Sequence, residues 1–443
     1  MTDHVTKWKP ILEHADYQPI RDAHRRKVTA TLLENQIKFS KAATSEIGML
    51  GEDTAAANTT GPIAKYDPIL INLVRRAMPN LIAYDVCGVQ PLTGPSGLVF
   101  AYKPKYIAGG ALGNDAFYKE ADTDFSGTGT HAGTDPSVLN PIPAINAPIP
   151  GTPGIYTKGT GMDTIDGERL GTDTHPAFGE MGFDIDSFTV QTKTRALKAT
   201  YTVELAQDLK QIHGLDAETE LSNILSAQLL ADLNREIIRT IYVTAKTGAQ
   251  NTDLTNAGVY DLDTDSNGRW SKEKFQGMLF QIEREANQIA KETRMGKGNF
   301  IICSSDVAAA LGMSGMLDYQ PALSTDLQVD DTGNTFAGVL NGRYRVYVDP
   351  YATGNFFVVG YKGMNAYDAG IYYCPYIPLQ MYKAVSEDSF QPKIGFKTRY
   401  AVASNPFSMV DNNGNAISTG ALDANANVYY RRVRVENLAG AAT

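Results

Sequence analysis

Three observations predict an α+β chain of more than one domain. The first is length: 443 residues, 43% of them hydrophobic, are enough for two or three cores. The second is a change of apolar period, from spacings of three and four between 203 and 290 to alternation over 395–403 and 429–435. The third is a block from 107 to 182, where 14 glycines and 7 prolines fall in 76 residues. That composition reads as a loop-rich excursion between regular elements.

Residues 1–52 read as short amphipathic helices with charged faces, such as Thr29 to Phe39, in a segment separable from the rest. Gly51 to Thr60, GEDTAAANTT, is small, polar and aperiodic, and reads as a linker. Residues 68–83 suit a helix up to Ala77 that Pro79 ends. VCGVQPL and GLVFAYKPKY alternate like the first arm of a hairpin. Met181 to Tyr201 is its return, with Phe183, Ile185, Phe188 and Val190 as the apolar positions. Val203 to His213 then places Leu205, Leu209 and Ile212 on one helical face, with Gly214 as the stop. Asp216 stands where it would N-cap a helix from Ala217 to Thr247. At about 1.5 Å per residue that helix spans roughly 45 Å, a strut more than a core helix. Its stripe is Leu221, Ile224, Leu225, Leu229, Leu233, Ile237 and Ile241. A third helix starts after Ser271 and buries Phe275, Met278, Leu279, Ile282, Ala286, Ile289 and Ala290. Asn299 to Cys303 is a buried strand, and Ser304–Ser305 open a short helix through Leu311. Gly342 to Val348, Phe356 to Tyr361, Gly395 to Ala403 and Tyr429 to Val435 are strands.

A net charge of −9 argues against coating nucleic acid through bulk charge, which needs a surplus of Lys and Arg. No run of 18 apolar residues predicts a membrane span, and the polar N-terminus lacks the apolar core of a secretory signal. Cys87, Cys303 and Cys374 are far apart and form no CxxC pair, so reduced thiols are expected, with Cys303 and Cys374 buried in their apolar runs.

Candidate chemistry is sparse. Asp263, Asp265, Asn267 and Gly268 match the first half of a calcium loop, whose alternating oxygens and turn glycine suit Ca²⁺. Lys274 stands where the loop's bidentate Glu belongs, so a polar turn before a helix competes with the metal reading. Gly127, Gly129 and Gly133 are off the dinucleotide spacing, and the six histidines share no metal-ligand spacing. Ser304–Ser305 follow a strand where a nucleophile would sit, but a helix cap explains them without catalysis. Asp330–Asp331 and Glu283–Glu285 read as solvated faces. No catalytic residue, metal site or cofactor is assigned, and a structural or binding role is favoured. One pattern stands apart. Glu13, Glu34 and Glu52 each follow a Leu or Ile two residues earlier, and no Glu after Glu52 does.

The run NLVRRAMPNLIAYDVCGVQPL, 72–92, closely resembles the major capsid proteins of T-even-type (T4-like) tailed phages. So do the segments 180–225, 336–352 (FAGVLNGRYRVYVDPYA), 361–376 (YKGMNAYDAGIYYCPY) and 390–407 (FQPKIGFKTRYAVASNPF). These blocks are collinear. The loop composition is similar to that of members from cyanobacterial phages. The resemblance implies a Hong Kong 97-like fold: residues 1–52 a propeptide, 53–92 the N-arm and start of the peripheral domain, and 93–185 an extended loop with a shortened insertion. Residues 186–270 would be the peripheral domain with its spine helix, 271–390 the axial domain, and 391–443 returning peripheral strands. It further implies a prohead protease cutting after Glu in a Leu/Ile-x-Glu context, best at Leu50-Gly51-Glu52 before Asp53. Implied partners are other copies in hexamers and neighbouring capsomers, the vertex protein, protease, scaffold, portal, decoration proteins and packaged DNA without sequence-specific contact, with no membrane. The implied location is the virion shell, reached through the host cytoplasm. Arg75, Arg76, Arg343 and Arg345 are the interface candidates. The rival readings are the paralogous pentameric vertex protein and, more distantly, a calcium-dependent module or an enzyme.

Overall fold

The computed structural model describes residues 3–13, 20, 22–47, 81–108, 111–116, 121–132, 157–172, 178–251, 254–266, 268–315, 317–319, 335–364, 368–386, 390–405 and 422–438. The predicted linker at 51–60, the helix before Pro79, the pairs Arg75–Arg76 and Asp330–Asp331, Asn267, and Leu50, Glu52 and Asp53 lie outside them.

The elements, in chain order, begin with helices α1 (Asp3–Leu12), α2 (Ala23–Ile47) and α3 (Ala83–Val86). Strands β1 (Gly88–Val89), β2 (Ser96–Ala108), β3 (Ala111–Asp115), β4 (Thr128–Ala132) and β5 (Thr157–Thr160) follow. Next come α4 (Thr164–Glu168), β6 (Glu180–Gln191), β7 (Lys193–Thr200), α5 (Val203–Ile212), α6 (Ala217–Thr244), β8 (Ala245–Thr247) and β9 (Val259–Asp261). The remainder is α7 (Ser271–Thr293), β10 (Phe300–Ser304), α8 (Ser305–Met313), β11 (Leu317–Tyr319), β12 (Thr335–Leu340), β13 (Tyr344–Asp349), β14 (Phe356–Gly360), β15 (Ile371–Val385), β16 (Pro392–Ser404) and β17 (Asn427–Glu436). The chain is α+β, as predicted, and divides into two compact units, 1–99 with 188–443, and 100–187.

The larger unit holds two sheets. One has the order β1-β15-β16-β7, and the other β11-β12-β13-β10-β14-β17-β8, with β9 also on β17. β10 is fully buried because its run FIICS is apolar on both faces, and it lies between parallel β13 and antiparallel β14. Helix α7 lays Met278, Ile282, Ala286 and Ile289 against this sheet, each with no exposed surface. Helix α6 buries Leu225, Leu229, Leu233, Ile237 and Ile241 in a second core with α2, β15 and β16.

Several boundaries differ from expectation. Helix α6 ends at Thr244, because 245–247 become extended and pair with β17. Asp216 sits at its N-cap but bonds no backbone N–H there; Thr219 Oγ1 donates to its carboxylate instead. Thr202 caps α5 by accepting from the Leu205 N–H, and Gly214 takes φ +66°, the left-handed conformation that ends the helix. Glu273 reaches back to the Arg269 N–H at 2.9 Å, closing the first turn of α7. Ser304 occupies the N-cap position of α8 without a side-chain cap bond.

Sequence periodicity missed β15, although its residues carried the resemblance. Its run IYYCPYIPLQMY is apolar on both faces and holds Pro375 and Pro378, which argue against a central strand. The strand absorbs them at register shifts between Pro375, Ile377 and Gln380. β15 pairs with β16 across position 390, whereas β17 joins β14 in the other sheet.

The expectation of short, separable helices in 1–52 does not hold. Helix α2 runs 25 residues, and Trp8, Leu12, Ile20, Val28, Leu32, Leu33 and Ile37 are buried in the core that contains β15 and α6. Its amphipathic signal is weak because Thr29, Asn35 and Gln36 are buried polar residues on the same helix.

The smaller unit contains the β2–β3 hairpin, with Ile107 opposite Leu112, and the β4–β5 pair. Tyr106 and Phe125 stack with centroids 4.5 Å apart. Asp124 accepts from the His131 N–H at 2.8 Å, and Thr123 accepts from the Gly159 N–H at 2.8 Å. Among the described residues of 100–187, Ala116 is the one buried apolar side chain. The described part of the Gly/Pro block is thus held by backbone pairing and turns.

Candidate functional site

The calcium candidates lie in a turn that supplies its own donors. Asp265 accepts from the Thr255 N–H at 3.0 Å, the Thr255 hydroxyl at 2.9 Å and the Asp261 N–H at 3.0 Å. Asp263 pairs with Lys274, the residue standing where a bidentate ligand would be required. An ammonium at that position neutralises the carboxylate that a cation would need.

The reading of Glu283–Glu285 as a solvated face is corrected. Glu285 is 2% exposed. It accepts from the Ala249 N–H at 2.8 Å and the Gln281 amide at 2.7 Å, and lies 3.4 Å from Arg431, itself 3% exposed. Arg431 also pairs with Glu292, tying β17 to α7. Burial alone would raise the pKa of Glu283, but Lys297 and the Tyr344 hydroxyl hold it below its ordinary value. A second buried charge is Asp349, whose carboxylate takes both bonds of Arg235 at 2.7 and 2.8 Å and the Tyr242 hydroxyl at 2.9 Å. These groups fasten helix to sheet. The three thiols are buried, and loss of solvation pushes each up to about 12, leaving them protonated and inert.

Of the interface candidates, Arg343 lies in the turn before β13 rather than on the strand. Its side chain is 68% exposed, 3.9 Å from Glu283. Arg345 is on β13, 3.7 Å from Asp85. Asp85 also takes Arg25 of α2 at 2.5 Å. The beginning of the chain, α3 and β13 therefore share one ion cluster, which sequence spacing gave no means to see.

Two apolar surfaces are left open. Helix α5 buries none of its residues, and Leu205 and Ile212 of its predicted apolar face are 51% and 73% exposed. On β6, Met181, Phe183 and Ile185 share one face by the two-residue repeat and are all exposed. Exposed apolar rows of this kind mark contact surfaces rather than reaction centres.

Comparison with known proteins agrees with a shell protein. The chain is 39% identical to the major capsid protein of Serratia phage KSP90, over 98% of this chain and 97% of the relative. It is 38% identical to that of Salmonella phage ViI over 99% of both, and 35% identical to that of Enterobacteria phage T4 over 98% of both. The T4 capsid vertex protein matches at 28% over 51% of this chain. Among solved structures, the capsid of Myoviridae phage XM1 aligns at TM-score 0.37 and 9% identity, covering 80% of this chain and 92% of that chain. The class is thus the phage capsid protein, with its place in the virion shell. Within it, the chain belongs to the Major capsid protein Gp23 family, whose model matches residues 63–435.

Proposed function

We propose that copies of this chain close into hexameric capsomers, which build an icosahedral or prolate head around double-stranded DNA after the prohead protease removes residues 1–52. The observation that carries this reading is the exposed apolar surface of α5 and β6, together with a single buried apolar side chain, Ala116, among the described residues of 100–187. Ordering such a unit costs conformational entropy that burial within it offsets poorly, and a neighbouring copy supplies the missing cover. A head-to-tail contact of that kind closes into a ring when its rotation closes.

The subunit plan follows the Hong Kong 97 pattern. Residues 53–92 are the N-arm and the start of the peripheral domain, and 93–185 the extended loop with a shortened insertion, a reading supported by the compactness of 100–187. Residues 186–270 form the peripheral domain with α6 as its spine, 271–390 the axial domain, and 391–443 the returning strands. Cleavage falls between Glu52 and Asp53, and removing 52 of 443 residues leaves 391. The vertex protein, scaffold, portal and decoration proteins are its partners, and DNA is enclosed without sequence-specific contact.

Electron microscopy of the expressed protein is expected to show six-fold rings, tubes or shells. Five-fold rings favour a vertex role, and a persistent monomer overturns the assembly reading. Mass spectrometry of virions is expected to find a peptide starting at Asp53, and an intact N-terminus there removes the maturation step.

A further inference from the structure

The strand β1 is two residues long and lies at the edge of its sheet. Only Gly88 and Val89 pair with β15, in parallel, opposite Tyr372 and Tyr373. The pairing extends through the Gln90 N–H to Tyr373 O at 3.0 Å and the Leu92 N–H to Pro375 O at 2.9 Å. Immediately beyond, the β15 register breaks between Pro375 and Ile377. The chain then enters β2.

Helix α2 bridges this place. The Asn35 side-chain amide donates to Leu92 O at 2.8 Å and to Tyr376 O at 3.1 Å, so both of its hydrogens go to carbonyls, one on each segment. Asn35 is 6% exposed, and Leu32, Leu33 and Ile37 beside it are buried. Upstream, a His24 ring nitrogen lies 3.1 Å from Val89 O, and Arg25 pairs with Asp85. Three residues of one helix thus hold the segment 85–92.

We infer that α2 is a removable clip, with Asn35 as the positioning residue that pins 88–92 to β15. The clip belongs to the segment assigned above to proteolytic removal, so its physiological meaning rests on that reading, but its physical action does not. While residues 1–52 are attached, the root of β2 is fixed. Their loss takes away the amide that spans Leu92 O and Tyr376 O and uncovers the apolar face that Leu32, Leu33 and Ile37 covered. The leader thus sets the conformation of the chain it is cut from.

Hydrogen–deuterium exchange on the full chain tests this. Asn35→Leu keeps the size and apolar packing but removes both donors. It is expected to speed exchange in peptides covering 85–92 by about tenfold, the scale of one lost hydrogen bond, while peptides of β16 and β7 stay protected. A chain starting at residue 53 is expected to show the same change more strongly. Should that chain fail to fold, Asn35→Leu in the full-length protein still decides. Unchanged protection at 85–92 in Asn35→Leu overturns the clip. An uncut N-terminus in virions removes the maturation reading yet leaves the exchange result standing, so the two failures are distinguishable.

Discussion

Glu285 and Arg431 show how a residue's meaning depends on what lies opposite it. They are 146 positions apart, and nothing near Glu285 in sequence marks it as buried. Glu285→Ala is expected to destabilise the larger unit by about 3–5 kcal/mol, because it leaves Arg431 buried beside one remaining carboxylate. Urea titration checks this through a lowered midpoint. Glu34 illustrates the pH side. Burial alone would raise its pKa, but the Lys7 ion pair at 2.7 Å and the Trp8 indole N–H hold it below its ordinary value of 4.5. A carboxylate with a depressed folded pKa stabilises above its unfolded value, and that stability is lost as pH falls through the folded one. Acidification below about 4.5 is therefore expected to loosen α1 from α2. Trp8 fluorescence in a Trp270→Phe background, shifting red in that window, is the readout; Trp8 is 6% exposed and Trp270 73%.

At the scale of elements, spacing was a good guide where one face is apolar and the other polar. The stripe of α6 was legible for that reason, with Leu225, Leu229, Leu233, Ile237 and Ile241 buried as the period requires, whereas Leu221 is half-buried and Ile224 is 61% exposed. Leu225→Pro removes a helix hydrogen bond and inserts a ring against the preceding turn, at a cost of about 3 kcal/mol or more. It is expected to abolish assembly, and wild-type-sized heads from the variant would refute the strut role of α6. Spacing failed where that contrast is missing. β15 is buried on both faces over Ile371–Pro375, so it shows no alternation, and its prolines obscure it further. Helix α2 fails for the opposite reason, since polar Asn35 and Thr29 are buried beside Leu32.

For the whole molecule, the block rich in glycine and proline was legible from composition, and it folds as the separate unit 100–187. Among its described residues Ala116 is the one buried apolar side chain. Deleting 115–165 is expected to leave a folded monomer, by circular dichroism and thermal melting, while lowering the yield and stability of shells. A soluble but unfolded product would place the block in the subunit core instead.

The sequence by itself determined the family, because long collinear blocks specify relatives more sharply than any short motif. It also determined the helices with one apolar face and the glycine-rich excursion, because these depend on neighbours within a few turns. Only the tertiary structure decided that Glu285 and Asp349 are buried charges, that β15 is a strand, and that Trp8, Leu12 and the apolar residues of α2 from Val28 to Ile37 share a core with α6 and β15. Each depends on groups brought together from distant positions, where burial and pairing, not local period, set the free energy.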